Sequence, residues 1–295
     1  MHFLIRILSR LPLSVLYFFA DTLLYPLIYY IVRYRRKIVK KNITLSFPDK
    51  SVQEHKRLER AFYHHFADVI VEIIYGYRIS DEEMATRFQF DNVTEIEELV
   101  HRTGGVMILE GHFGNWEWSA EMAKYYQDKD IRHYNVYRHL NKQSADEAML
   151  AVRAKRGGAG CIEKNQLLRR MVMLRKEGHL LSIGLVSDQK PSPHSAQYWT
   201  TFLHQDTAFL SGGEALARMF GYAVVYMHVT SPKRGYYLAH CEVLSDDPKA
   251  TAEGDITRLF AQRLEANILE QPQLWLWSHN RWKWSRPSND NTITQ

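Results

Sequence analysis

The apolar run Val106-Met107-Ile108-Leu109 leads straight into Gly111-His112-Phe113-Gly114-Asn115-Trp116-Glu117. A short apolar run closed by glycine and followed by an amphipathic stretch is a buried strand feeding a helix, and repetition of that unit builds an α/β sheet. The pattern repeats along the chain: strands over Gly105 to Leu109, Ile131 to Tyr137 and Leu180 to Val186, and helices over Trp116 to Gln127, Ser144 to Lys155, Asn165 to Lys176 and Gly213 to Phe220. Ala223 to Val229 and Tyr236 to Val243 form a strand pair around the turn residues Pro232 to Gly235, and a last helix covers about Glu253 to Glu270. Upstream, Ser51 with Glu54 makes a capping box that opens a long amphipathic helix to about Tyr75, and Ser80 with Glu83 makes a second. The expected fold class is α/β, a mixed sheet flanked by helices.

The first 45 residues stand apart from this pattern. Leu13 to Val32 is mainly apolar and aromatic and about long enough to cross a bilayer, although Asp21 and Pro26 interrupt it. Arg6 and Arg10 precede it; Arg33, Arg35, Arg36, Lys37, Lys40 and Lys41 follow it. The larger basic cluster on the C-terminal side keeps the rest of the chain on the cytoplasmic face if the helix spans, and grips anionic headgroups if it lies on the surface. The expected organisation is a membrane-associated helix and basic segment over 1–45 and an α/β domain over 46–295. The net charge of +5 favours an anionic partner without choosing one. The two cysteines, Cys161 and Cys241, are far apart and suggest neither a disulfide framework nor a zinc site.

His112 and Glu117 carry the clearest chemistry. Imidazole is a base near neutral pH, and a neighbouring carboxylate can fix its tautomer and stabilise its charged form. Five residues apart on one helix they would diverge by about 140°, so His112 is expected in a turn, with Asn115 as N-cap and Glu117 in the first helical turn. Taken alone, the pair reads first as a loop histidine beside a glutamate favoured by the helix dipole, and it is the residues around it that favour the catalytic reading. Arg138 and Asp188 follow two other strand ends, and loops at strand ends are where α/β sites assemble. Trp275 and Trp277 alternate as one face of a core strand would. With Trp282, Trp284, Arg281, Lys283 and Arg286 they would equally make an interfacial belt. No segment reads as a nucleic-acid module, so no nucleic-acid partner is expected.

Several motifs in one order then resemble the bacterial lipid A late acyltransferases of the lauroyl/myristoyl type, within the lysophospholipid-acyltransferase superfamily. The H-x-x-x-x-D/E pattern matches His112 to Glu117. Val136-Tyr137-Arg138, Ser187-Asp188-Gln189, Thr207-Ala208 with Gly212-Gly213, and Trp275-Leu276-Trp277-Ser278-His279-Asn280-Arg281-Trp282-Lys283 follow. Where the family often carries Phe-Phe-Gly, this chain has Phe202-Leu203-His204 after the polar stretch Ser192 to Gln197, a departure that bears on chain or acceptor specificity. The resemblance implies fatty acyl transfer from an acyl carrier protein or acyl-CoA thioester to a hydroxyl of a lipid A-type glycolipid, at the cytoplasmic face of a bacterial inner membrane, with no metal or bound cofactor. It implies His112 as base and Glu117 as its orienting carboxylate, with Asn115, Arg138, Asp188 and Gln189 contacting substrate. Alternatives are acylation of a lysophospholipid or aminoacyl lipid, hydrolysis of the thioester, and a non-catalytic lipid-binding adaptor, which would not need a base.

Overall fold

The computed structural model describes residues 2–138, 146–147, 153, 160–192 and 198–286. Nine strands are present among them: β1 Phe88–Phe90, β2 Gly105–Glu110, β3 Ile131–Tyr137, β4 Gly160–Glu163, β5 Leu180–Val186, β6 Tyr198–Phe202, β7 Gln205–Phe209, β8 Ala223–Lys233 and β9 Tyr236–Ser245. Seven form one mixed sheet in the order β1-β9-β8-β2-β5-β3-β4, and β6-β7 is a separate hairpin. Only β8-β9 is antiparallel within the large sheet. The central strands β2 and β5 are almost wholly apolar because helices cover both faces, as expected of buried parallel strands.

The arrangement places β2, β5 and β3 side by side and parallel, so the residues after them, His112, Asp188 and Arg138, leave from one edge of the sheet. Strand order is set by crossover packing, which has no local sequence signal. The long helix Val52–Gly76 has the expected capping box, with Glu54 N donating to Ser51 Oγ and Ser51 N donating to Glu54 Oε2. The helix expected over 144–155 lies outside the described residues apart from Asp146, Glu147 and Arg153, as does 193–197 of the polar stretch. The helix expected from Trp116 begins later, as a tight turn Trp118–Glu121 followed by Met122–Tyr125. Asn115 does not cap it with its side chain, which is drawn instead to Glu72.

The apolar N-terminal segment Leu13–Ile31 is helical and 19 residues long. Around Pro26, which has no N–H to donate, it widens into the π-wound turns Ala20–Leu24 and Leu27–Ile31. One side packs on the protein: Leu13, Leu16, Ala20, Tyr25 and Tyr29 are buried, while Phe18, Leu23, Ile31 and Val32 are each more than 60% exposed. Asp21 is paired with Arg234 of the β8-β9 turn, and Arg234 also holds Asp68 of the long helix.

After the C-terminal helix Asp255–Glu270 the described residues form no core strand; the chain crosses the molecule in turns, with a β-bridge between Phe113 and Trp275. Trp275 and Trp277 are buried edge to face, with ring centroids 4.7 Å apart, so they belong to the core and not to an interfacial belt. Asn42 fixes this segment by donating to the carbonyls of Trp277 at 2.9 Å and His279 at 2.8 Å. Phe202-Leu203-His204 lies at the tip of the β6-β7 hairpin, where Leu203 and His204 both adopt positive φ, and Glu265 accepts from Leu203 N at 2.7 Å. Replacing Trp277 by Ala is expected to lower unfolding free energy by about 3–5 kcal/mol, read as a reduced urea midpoint in detergent.

Candidate active site

β2 ends at Glu110, and the next residue must be small. A Cβ on Gly111 would stand 2.6 Å from Leu264 Cδ1. The chain then turns through Gly114, whose φ of +58 favours glycine, and this turn holds His112 beneath the residues that leave β5. Asp188 meets it there: its Oδ1 lies 2.6 Å from His112 Nδ1, and its Oδ2 accepts from His112 N at 2.9 Å and Trp275 Nε1 at 2.8 Å. Burial alone would push the Asp188 carboxyl up, but the His112 ring and these donors hold it down at about 2. An ionised carboxylate only accepts, so Nδ1 carries the ring proton and Nε2 is left as the basic atom.

Burial pushes the His112 ring down, yet the Asp188 carboxylate outweighs it, with smaller contributions from Glu117 and Glu110, so the ring is held above the usual imidazole value. Gln189 Nε2 lies 3.0 Å from His112 Nε2 and caps the basic atom. The ring is about one-sixth exposed, and Trp116 flanks it edge to face at 5.2 Å. Glu110, two residues before it, is buried and pushed up to about 7. The C-terminal segment closes the loop: Leu276 N donates to His112 O, and Gly114 N donates to Leu274 O, both at 3.0 Å. Lys190, His279 and Arg281 lie near the pair. Burial, with Arg281, His112 and Lys190, pushes His279 down to about 4.

The structure thus brings together His112, Asp188 and Gln189, and it changes the partner expected for the ring. The carboxylate hydrogen-bonded to His112 is Asp188; Glu117 faces Arg153 instead, in a two-bond pair at 2.9 and 2.8 Å. Glu117 acts on the ring only through its charge. Asn115, expected to contact substrate, is fully buried with its amide on Glu72. Arg138 is exposed at the end of β3, with no contact to His112 among the described residues. Trp275 and Arg153 were not expected at the site. In the sequence Trp275 reads as a core or interfacial ring and as part of the last motif of the resemblance, and Arg153 carries no local signal. Among the described residues no group of three His, Cys, Asp or Glu side chains could hold a metal ion.

A buried histidine with an ionised carboxylate on one ring nitrogen and, among the described residues, no serine or cysteine on the other has the arrangement of a general base for a hydroxyl brought by a substrate. Residues 1–284 match the family model of bacterial lipid A biosynthesis acyltransferases. The chain belongs to that family. It is an acyltransferase. The chain is similar to the lipid A biosynthesis palmitoleoyltransferase of Escherichia coli, 22% identical over 261 residues, covering 88% of this chain and 82% of the relative. The Shigella flexneri lipid A biosynthesis acyltransferase matches to the same extent. The E. coli lipid A biosynthesis lauroyltransferase is 24% identical over 259 residues, covering 86% and 80%.

Within this acyltransferase the two carboxylates should separate kinetically. A histidine that acts as a base must be neutral, and the His112 pKa is raised, so activity through it is expected to fall with acidification through a limb above the ordinary imidazole value of about 6.5. Asp188→Asn is expected to lower kcat/KM by about 10²–10⁴-fold and move that limb to lower pH. Glu117→Gln leaves the Nδ1 bond in place and is expected to move it less. Initial rates from pH 5 to 9 check both.

Proposed function

We propose that this protein acylates a hydroxyl of a lipid A-type glycolipid from a cytosolic thioester, acyl carrier protein or acyl-CoA, at the inner membrane. The observation that carries the reading is the His112-Asp188 pair with Nε2 facing Gln189. The acceptor hydroxyl takes the place of Gln189 on Nε2 and gives up its proton there. Its oxygen then bonds to the thioester carbonyl carbon, and the carbonyl oxygen becomes an oxyanion. When the intermediate collapses, the C–S bond breaks and the departing thiolate takes the proton back from the imidazolium, leaving an ester and a free thiol. Asp188 keeps the ring in the Nδ1–H tautomer and stabilises its charge throughout. Glu117 supplies negative charge at a distance while neutralising Arg153. Arg138, on the same sheet edge, is assigned to the oxyanion or to a phosphate of the acceptor. A well-placed oxyanion donor is worth roughly 3–4 kcal/mol.

His112→Ala is expected to cost at least about a hundredfold in turnover with the fold intact, followed by ester formation from labelled thioester and purified acceptor. Loss of one acyl chain from lipid A on deletion of the gene, read by mass spectrometry, supports the acceptor. An unchanged lipid A with another lipid short of a chain overturns it. Free fatty acid as the main product at saturating acceptor would make the protein a hydrolase, and full activity in His112→Ala would remove the base.

We further propose that the N-terminal helix lies on the membrane instead of crossing it. Its middle is tied to the body by Tyr17 to Glu72 and Asp21 to Arg234, while Phe18, Leu23 and Ile31 face outward. The exposed Arg33, Lys37, Lys40 and Lys41 follow on the same segment, and each cation near an anionic surface adds about 1 kcal/mol. Alkaline carbonate is expected to release the protein from membranes, whereas a spanning helix would stay in the pellet. Serine at Phe18, Leu23 and Ile31 together is expected to abolish flotation with anionic vesicles.

A further inference from the structure

Among the described residues, Glu72 is the most completely enclosed acid that the proposed chemistry does not use. It projects from the long helix Val52–Gly76 with no exposed surface, and three donors from three separate parts of the chain converge on it. Tyr17 Oη, on the apolar N-terminal helix, donates to Oε1 at 2.6 Å. Asn115 Nδ2, three residues after His112, donates to Oε2 at 2.9 Å, and Tyr237 Oη, at the start of β9, donates to the same oxygen at 2.8 Å. The neighbouring charges are Asp68 and Arg234, and Arg234 is the group that also holds Asp21 of the N-terminal helix. Burying a carboxylate is costly unless its lone pairs are met, so Glu72 is a poor choice for packing alone. Any apolar residue would fill the volume without that demand.

We propose that Glu72 is a positioning residue through which seating of the apolar N-terminal helix sets the geometry of the His112 loop. The path is short and continuous: Tyr17, Glu72, the Asn115 side chain, then the Gly111 to Glu117 turn that carries His112. The turn's other anchors are the Asp188 and Gln189 bonds at His112, the backbone bonds of Gly114 and His112 to Leu274 and Leu276, and, at its far end, the pair of Glu117 with Arg153; between the ends, Asn115 is the residue whose side chain ties the turn to the long helix. Freeing Asn115 therefore lets the ring drift from Asp188. A shift of about 1 Å in a catalytic group is enough for a loss of about a hundredfold. The enzyme is fully set only when the helix that meets the membrane is docked on its own body.

The inference rests on His112 being the base proposed above, and the test keeps the two apart. Full-length wild type, Tyr17→Phe, Glu72→Ala and Glu72→Gln are compared in detergent for kcat, KM for acyl-CoA, the acid limb of the pH profile, and folding by near-ultraviolet circular dichroism. The carboxylates that raise the His112 ring are Asp188, Glu117 and Glu110, with His279, Lys190 and Arg281 nearby, and none of these is changed. Tyr17→Phe is expected to lower kcat threefold or more with KM for the donor unchanged. Glu72→Ala is expected to lower kcat tenfold or more and to move the acid limb to lower pH, as the ring loses its hold on Asp188. Glu72→Gln, whose amide oxygen can still accept from Asn115, is expected to restore most of the rate and the limb. A purely structural role would lower the melting temperature and the folded fraction but leave the limb of the folded enzyme where it was, and that result overturns the proposal. Wild-type kcat and limb in folded Tyr17→Phe do the same, even where Glu72→Ala does not fold. If His112→Ala is fully active, the base assignment has failed first; if it is inactive and the Glu72 and Tyr17 variants match wild type, only the present inference has failed.

Discussion

The buried carboxylate of Asp188 is the point on which the rest of the site hangs. A lone charge of that kind, removed from water, would be expensive, and the protein offsets the cost with an imidazole edge, a backbone N–H and an indole N–H from two distant stretches of chain. Each donor is a structural commitment. The backbone bond fixes the turn after β2, the ring bond fixes the tautomer of His112, and the indole bond requires the segment after the C-terminal helix to lie across the loop. Removing the carboxylate would leave a buried indole N–H without an acceptor and a ring without a preferred tautomer, so chemistry and local packing are supported by the same atoms.

The sheet supplies the frame for that meeting. Because β5 lies beside β2 and runs parallel to it, residue Ser187 can donate its N–H to Glu110 O at 2.8 Å, and the next residue falls beside the His112 turn. The C-terminal segment closes the other side, with Trp275 bridging Phe113 and Asn42 gripping the carbonyls of Trp277 and His279. The first helices, the His112 loop and the segment up to Arg281 therefore form one connected body. The apolar N-terminal helix joins it through Tyr17 and Asp21, so this helix and the His112 loop share the buried Glu72 as a common contact.

Much of this is legible in the sequence. The apolar run ending at Gly111-His112, the capping box at Ser51 and Glu54, and the hairpin around Pro232 to Gly235 are local signals, and the strands at Ile131–Tyr137 and Leu180–Val186 run as read. Spacing misled at Glu117. Its nearness in sequence to His112 suggested a bonded pair, but the turn sends it to Arg153, thirty-six residues onward. Asn115 misled in the same way, since a residue at a helix start resembles a cap until the buried Glu72 takes its amide. The tryptophans of the last segment looked alike in sequence, and only burial separates Trp275 and Trp277 from the exposed Trp284.

By itself the sequence determined the α/β alternation, the apolar N-terminal helix with its basic flank, the histidine placed after a buried strand, and the ordered motifs that resemble one acyltransferase family. All of these depend on residues within about one or two turns of each other, or on a pattern of types. The tertiary structure decided which carboxylate holds the histidine, which side of the N-terminal helix faces the body, and where Asn115 and Trp275 point. Those are choices among partners far apart in the chain. They are made by strand order and by the need to satisfy buried charges, neither of which leaves a mark in the local sequence.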